Sequence, residues 1–387
     1  MNKAIVIGGS NGIGLAVAND LLRRDYYVYI LDICEPNKDL MFNDNFSFVF
    51  CNLLELDEEV LERFAKDKDV TFMMISAGIG RVSDFEYLHV FEIEKILKIN
   101  TVSTIKIIRL FYDRIKSENV FYCGVMGSIA GFVSSPMFSV YAASKAAICR
   151  FIESVNVELS EAGIKNRILN VSPGSIKGTC FNGGQNDLSL TKQLSKNILE
   201  NIFNFKELFI PDYDTVYKDV LERYNKDPKT FGFSSYLYKK NSGRAQNERK
   251  AKVGYLSGTF DLFHIGHLNL LKRAKEKCDY LIVGVHIDAS HKGKQTFISF
   301  EERKAIVGAC KYVDKVVQSC QEDNDAWELY RYNKLFVGSD YKGSERFKKY
   351  EEFFKDKGVE IVYFPYTQGT SSSQLRSILS NINKEKK

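Results

Sequence analysis

Short apolar runs alternate with amphipathic stretches over the first 175 residues. "KAIVIGG" (3–9) is an apolar run closed by glycines, and "NGIGLAVANDLLRRD" (11–25) then repeats apolar residues at helical spacing. "YYVYILD", "FSFVF", "VTFMMIS", "NVFYCGVMG" and "NRILNVSPG" are strand-like in the same way. Between them, "FEIEKILKINTVSTIKIIRLFYDRIKSE" (91–118) and "SVYAASKAAICRFIESVNVELSEAG" (139–163) have the period of helices. Strands that are apolar throughout and alternate with helices predict a parallel sheet covered on both faces. Residues 176–240 are less regular and predict a substrate-covering segment, with an exposed helix near "TVYKDVLERYNKD" (215–227). The polar, aperiodic "NSGRAQNERKA" (241–251) reads as a linker. A second alternation starts at "KVGYLSG" and runs through "DYLIVGVHID", "KLFVGSD" and "VEIVYFP". The expectation is two α/β domains, 1–243 and 252–387, joined by residues 244–251, each a parallel sheet flanked by helices. No repeat relates them, so the pattern is one of fusion rather than duplication.

Composition changes this picture little. The 387 residues are 44% hydrophobic and 27% charged, which places the chain among globular proteins. The net charge of +5 is mild and spread along the chain, so it suits phosphorylated small molecules rather than nucleic acid. No apolar run approaches the length of a membrane span, and a cytoplasmic protein without membrane or nucleic-acid partners is expected. The eight cysteines include no C-x-x-C pair, which predicts reduced thiols rather than disulfides or zinc.

Two stretches carry chemistry in the first half. "GGSNGIG" (8–14) lies between a predicted strand and helix, where Gly8, Gly12 and Gly14 let the backbone approach a pyrophosphate at a helix N-terminus. Ser10, Asn11 and Ile13 belong to the same turn. Asp32 closes the second strand, where an acid accepts ribose hydroxyls and repels a 2′-phosphate. That favours NAD over NADP, and the nearby Lys38 keeps NADP open. Further on, Ser128 precedes Tyr141 and Lys145, which are four apart on one helical face. A nearby ammonium stabilises a tyrosinate, so Lys145 is expected to pull the Tyr141 phenol toward working pH. Tyr141 then gives a proton to a carbonyl oxygen that Ser128 holds.

On these residues, about 1–240 resemble the short-chain dehydrogenase/reductase family. "SAG" (76–78) resembles the family's Asn-Ala-Gly, and "SPGSIKGT" its Pro-Gly stretch. The resemblance implies cofactor contacts for Ala77 and Gly78, a place flanking the nicotinamide for Pro173 and Gly174, an adenine neighbour in Asn52, and a water-positioning role for Asn100. Ile7 and Ser76 depart from the family's usual Thr and Asn.

In the second half, "GTFDLFHIGH" (258–267) again joins a predicted strand to a helix. His264 and His267 are three apart at that helix start and can face one point, most simply a phosphate. No third ligand follows at zinc-like spacing. The motif resembles the H-x-G-H signature of nucleotidyltransferases. Residues 252–380 resemble glycerol-3-phosphate cytidylyltransferases through "KGK", "SFEERKAIV", "YVDKVV", "FVGSDY" and "YTQGTSSSQLR". Nucleotidyl transfer needs donors that stabilise charge building on phosphate oxygens. The resemblance implies CTP contacts for Gly258, Thr259, Phe260, His264, His267, Lys294, Asp340, Thr370, Ser371, Ser372 and Ser373. By it His264 and His267 act at the α-phosphate, while Lys292, Lys294 and Arg303 hold the acceptor phosphate and the CTP phosphates, Lys292 and Arg303 counting with the histidines as catalytic. Mg²⁺ is expected with the triphosphate, its protein ligands unknown. Tyr366 stands where similar enzymes have Arg, a loss that Arg376 could offset, and "GSDY" leaves Asp340 and Tyr341 near the base or the acceptor.

Taken together these predict a homo-oligomeric bifunctional enzyme, a dimer or tetramer. It would reduce a ketose phosphate, ribulose 5-phosphate first, and couple the polyol phosphate to CMP. CDP-ribitol is the leading product, with CDP-glycerol and CDP-arabinitol as alternatives. A non-catalytic nucleotide-sensing second domain is the reading from another class. Arg81 and Lys177 are the candidate phosphate partners in the reductase half.

Overall fold

The computed structural model describes residues 1–182, 184–245, 251–288, 295–365 and 375, and the chain divides into two units, 1–248 and 249–387. In the first unit the apolar runs become strands β1 (Lys3–Ile7), β2 (Tyr27–Asp32), β3 (Phe46–Phe50), β4 (Val70–Ile75), β5 (Tyr122–Met126), β6 (Ile168–Val171) and β7 (Leu208–Phe209). They pair in the order β3-β2-β1-β4-β5-β6-β7, every pair parallel. The order reverses between β1 and β4. In open sheets of this kind the crevice outside that reversal is the ligand site.

Helices cover both faces: α1 (Gly12–Leu22), α2 (Glu58–Lys66), α3 (Val90–Leu97), α4 (Thr104–Leu110), α5 (Tyr112–Ile115), α6 (Ser139–Glu161), α7 (Leu188–Phe203), α8 (Lys218–Lys226) and α9 (Pro228–Asn241). One apolar cluster packs Ile5, Met73, Val125 and Ile168 under Ile107, Phe111, Ile148 and Ile152. The other packs Val6, Ile30, Met74 and Val171 under Val17, Leu21, Ile198 and Ile202. Residues alternating along one strand thus feed opposite cores, which is why these strands show no polar face.

Two elements differ from the sequence pattern. The long helix expected over 91–118 forms but changes pitch: α3 runs directly into a wider helical turn, Lys98–Ser103, and on into α4. Residues 188–203, expected to be irregular, form α7, whose buried Thr191, Ser195, Ile198, Leu199 and Ile202 keep helical spacing. Polar residues at two of those five positions hid the stripe.

The second unit holds strands β8 (Val253–Gly258), β9 (Tyr280–Val285), β10 (Lys315–Gln318), β11 (Lys334–Gly338) and β12 (Glu360–Phe364), all parallel in the order β10-β9-β8-β11-β12. Its helices are α10 (Ile265–Lys275), α11 (Phe300–Gly308), α12 (Asp323–Tyr330) and α13 (Glu345–Phe354). The strand order again reverses beside the first strand, between β8 and β11. Among the described residues no helix is long and apolar enough to cross a membrane.

Asn166 shows how the end of β5 is fixed. Its side chain accepts from the Phe121 N–H and donates to the carbonyls of Ile115, Ser117 and Asn119. Asn166→Ala takes these partners from the buried Phe121 N–H and Ile115 carbonyl and is expected to cost about 2–4 kcal/mol, read as a lower midpoint in chemical denaturation.

Candidate active sites

The first site forms where strands end. β1 runs into Gly8, whose φ of +80° turns the chain toward α1. A Cβ on Gly8 would lie 2.4 Å from the Ala77 nitrogen, and one on Gly14 would lie 2.1 Å from the Gly8 carbonyl oxygen. The turn therefore closes only with glycine at both places. Asn11 precedes Gly12 at the helix start, and Ile13 packs on the core behind it. Asp32, at the end of β2, accepts from the Ser10 N–H at 3.0 Å and from its neighbour Ile33 at 2.7 Å. Cys51 donates its N–H to the Asp32 carbonyl, which brings Asn52 to the same edge. Asn186, which the sequence did not single out, accepts from the Gly12 N–H at 2.8 Å and donates to Asn11 Oδ1 at 2.9 Å.

The wide turn after α3 places Asn100, which is buried. Its Oδ1 accepts from the Ile79 N–H, and its Nδ2 donates to the Ile79 carbonyl and to Ser144 Oγ. The side chain thus clamps the 76–80 loop to α6. A Cβ on Gly78 would touch both Asn100 Oδ1 and Lys145 Nζ at 3.4 Å. Ser128 follows β5, and its Oγ reaches the Pro173 carbonyl at 3.5 Å. Tyr141 and Lys145 rise from α6 on one face, the ammonium 5.7 Å from the phenol ring centre and donating to the Met126 carbonyl at 2.7 Å.

Burial reverses one electrostatic expectation. It pushes the Tyr141 phenol up to about 12, with the neighbouring Ser128 hydroxyl opposing, and it pushes the Lys145 ammonium down to about 8. Desolvation outweighs any pull of Lys145 on Tyr141. The phenol is therefore held in its acid form.

Phe138, three residues before Tyr141, stacks on its ring at 4.1 Å. Other contacts here are too remote in sequence to anticipate: Phe181 lies 5.5 Å from the same ring. A Cβ on Gly174 would lie 1.5 Å from the Tyr217 hydroxyl, so that phenol covers the Pro173–Gly174 turn. Of the two expected phosphate partners, Arg81 is corrected: its largely covered side chain grips both oxygens of Glu92 at 2.8 and 2.9 Å. Lys177 is exposed on its loop.

The second site repeats the strand-to-helix plan without a glycine cradle. After Gly258, Phe260 and Leu262 take positive φ of 53° and 50°, a strained conformation for side chains of this size. His264 caps α10, its Nδ1 accepting from the Gly266 N–H at 3.0 Å, while His267 Nδ1 accepts from the His264 N–H at 3.4 Å. With both Nδ1 atoms as acceptors, each neutral ring carries its proton on Nε2 and can donate from there. The rings stack at 4.0 Å, and burial lowers the His264 pKa. Phe260 supports His267 at 5.3 Å. Thr259 Oγ1 is buried without a hydrogen-bond partner in the same turn. Asp340 is exposed in a short turn after β11, with Tyr341 beside it.

Arg303 overturns its expected role. It is fully buried, and its guanidinium donates to the carbonyls of Ile298, Thr259, His286 and Ile287. It ties the ends of β8 and β9 to the start of α11 and does not face a phosphate. Asp261, missed in the sequence, anchors the same region by accepting from the Phe297 and Ile298 N–H groups. Lys292, Lys294, Tyr366, Thr370, Ser371, Ser372, Ser373 and Arg376 lie outside the described residues. Among the described residues no three His, Cys, Asp or Glu side chains converge as a metal site.

Comparison with known proteins divides the chain in the same way. Residues 2–188 match the short chain dehydrogenase family model, and residues 255–379 match the cytidylyltransferase-like model. The chain is 36% identical over 129 residues to glycerol-3-phosphate cytidylyltransferase of Bacillus subtilis, spanning 32% of this chain and 95% of that protein. It is 31% identical over 189 residues to an uncharacterized oxidoreductase of Saccharomyces cerevisiae, 46% of this chain and 56% of that one. A short-chain dehydrogenase from Sphingobium yanoikuyae, solved in complex with NADPH, superposes with a TM-score of 0.48 at 20% identity, covering 58% of this chain and 94% of that one.

Arg303→Met removes four buried hydrogen bonds and is expected to destabilise the second unit by about 3–5 kcal/mol. Thermal unfolding should show the loss; a phosphate-binding arginine would instead leave the transition in place and change only nucleotide affinity.

Proposed function

The chain belongs to the cytidylyltransferase family through its second unit and carries a short-chain dehydrogenase domain in its first, and from that premise we propose that it makes a CDP-polyol in two steps. The first site reduces a ketose phosphate with a nicotinamide cofactor. The second transfers CMP from CTP to the resulting polyol phosphate, and pyrophosphate leaves. The observation that carries this reading is one chain holding both the Ser128–Tyr141–Lys145 group and the stacked His264–His267 pair.

The glycine turn fits a dinucleotide. No side chain can fill the space at Gly8 or Gly14, and the Gly12 N–H already meets an amide oxygen where a phosphate oxygen would bind. Asp32 stands at the strand end suited to ribose hydroxyls and favours NAD. The bound nicotinamide supplies a hydride to the ketose carbonyl carbon. Tyr141, kept protonated by burial, gives its proton to the carbonyl oxygen while Ser128 holds that oxygen. Lys145 then stabilises the phenolate left behind.

In the second unit, a phosphate oxygen of the polyol phosphate attacks the α-phosphorus of CTP in line, and the Nε2 protons of His264 and His267 meet the charge that develops. The described residues build no metal site of their own, so no step is assigned to a protein-held Mg²⁺.

Ribulose 5-phosphate and CDP-ribitol are the specific substrate and product we favour. The similarity to glycerol-3-phosphate cytidylyltransferase supports CDP-glycerol as the second reading. A cytoplasmic homodimer or tetramer is part of the proposal.

Three outcomes follow. Tyr141→Phe should slow reduction about 10²–10⁴-fold and leave CTP-dependent pyrophosphate release from supplied polyol phosphate intact. His264→Ala should do the reverse, and paired assays of the two variants check the split. Burial places the Lys145 ammonium at about 8, so its charge is present below that pH and lost above it. The rate of reduction should fall as pH rises through about 8, and a flat profile to pH 10 would contradict the assignment.

A further inference from the structure

With Arg81 committed to Glu92, a phosphorylated ketose in the first unit must be met by a cation other than Arg81. α9 supplies one. Lys239 is half-buried, and its Nζ donates to Ser135 Oγ at 2.6 Å, the Pro136 carbonyl at 2.9 Å and Ser235 Oγ at 3.3 Å. Every one of these partners is neutral. Among the described residues no carboxylate lies within ion-pair distance of it, and burial lowers its pKa to about 8. A desolvated ammonium without a counter-ion gains most from an arriving anion.

The surroundings suit that anion. Ser134 Oγ is buried and has no hydrogen-bond partner. A Cβ on Gly232 would lie 3.2 Å from that oxygen, so glycine at this turn of α9 lets the helix approach the 134–136 loop closely. Lys229, Gly232, Tyr236 and Lys239 share one face of α9 by their spacing. A neighbouring cleft of about 710 Å³, lined by Pro136, Lys229, Thr230, Gly232, Phe233 and Tyr236, shares Pro136 with the carbonyl that Lys239 meets and Gly232 with the approach to Ser134. The loop also leads to the chemistry: Ser135 accepts from the Phe138 N–H, and the Phe138 ring stacks on Tyr141.

We propose that Lys239, with the hydroxyls of Ser134 and Ser135, forms the anion subsite that holds the phosphate of the ketose reduced at Tyr141. This rests on reading the first unit as a ketose-phosphate reductase. An ammonium is a compact charge with three donors, so it can exchange the Ser235 hydroxyl for a phosphate oxygen without leaving the loop.

Two measurements on the full chain test it. The first follows acylation of Lys239 by peptide mass spectrometry while inorganic phosphate is added. Protection of Lys239, about fivefold or more, is expected; labelling indifferent to phosphate would overturn the subsite. The second compares a ketose phosphate with the same ketose lacking phosphate. Lys239→Met should raise KM about tenfold or more for the phosphorylated substrate, with kcat nearly unchanged and the unphosphorylated ketose unaffected. Lys239→Arg should restore much of the loss. Ser134→Ala, a milder change, should raise the same KM about two- to fivefold and serves if the lysine variant does not fold. An equal KM rise for both substrates would mark Lys239 as a structural tether and overturn the proposal. Phosphate protection with no turnover of any ketose phosphate would overturn the reductase reading while supporting the anion subsite.

Discussion

The start of a helix directly behind the first strand of a parallel sheet is the constraint on which both sites depend. In each unit that strand is central, the strand order reverses beside it, and the following helix opens at the sheet's carboxyl edge. In the first unit the backbone makes this turn by removing side chains, with Gly14 packed on the carbonyl of Gly8. In the second it does so under strain, with Phe260 and Leu262 at positive φ and Arg303 tying four carbonyls beneath them. One turn is a cradle and the other a braced loop, yet both start a helix at the carboxyl edge of the sheet.

Desolvation shapes the chemistry of the first site more than pairing does. Tyr141 and Lys145 are both buried, and each is driven toward its neutral form. A phenol held as an acid suits proton donation to a carbonyl, the direction a reductase requires. The same physics acts at Lys239, where burial lowers the ammonium's pKa and no carboxylate among the described residues lies within ion-pair distance. Arg81 shows the contrast: placed closer in sequence to the glycine-rich edge, it is neutralised by Glu92.

Much of the fold was legible because each strand is a short apolar run, and the glycine and histidine motifs sit where such runs end. Ser128, Tyr141 and Lys145 were legible because a four-residue helical spacing and one strand end bring them together. What could not be read were partners distant along the chain. Arg303 looked like a phosphate ligand because nothing nearby announces that the carbonyls of Thr259, His286 and Ile287 will surround it. Asn186 reaches Gly12 across 174 residues, and Tyr217 covers Gly174 from a segment without clear periodicity. α7 was missed for a related reason: Thr191 and Ser195 occupy buried positions that the pattern reads as polar.

The central claim is that the polyol made in the first unit is the acceptor used in the second. Isotope transfer tests it most directly. The full chain would be given ribulose 5-phosphate, CTP, Mg²⁺ and reduced nicotinamide carrying deuterium at its transferable position, and the cytidine-linked product analysed by mass spectrometry. The account predicts one deuterium on the polyol carbon of that product. A cytidine-linked product without deuterium, or a labelled polyol phosphate that never becomes linked to CMP, would contradict it.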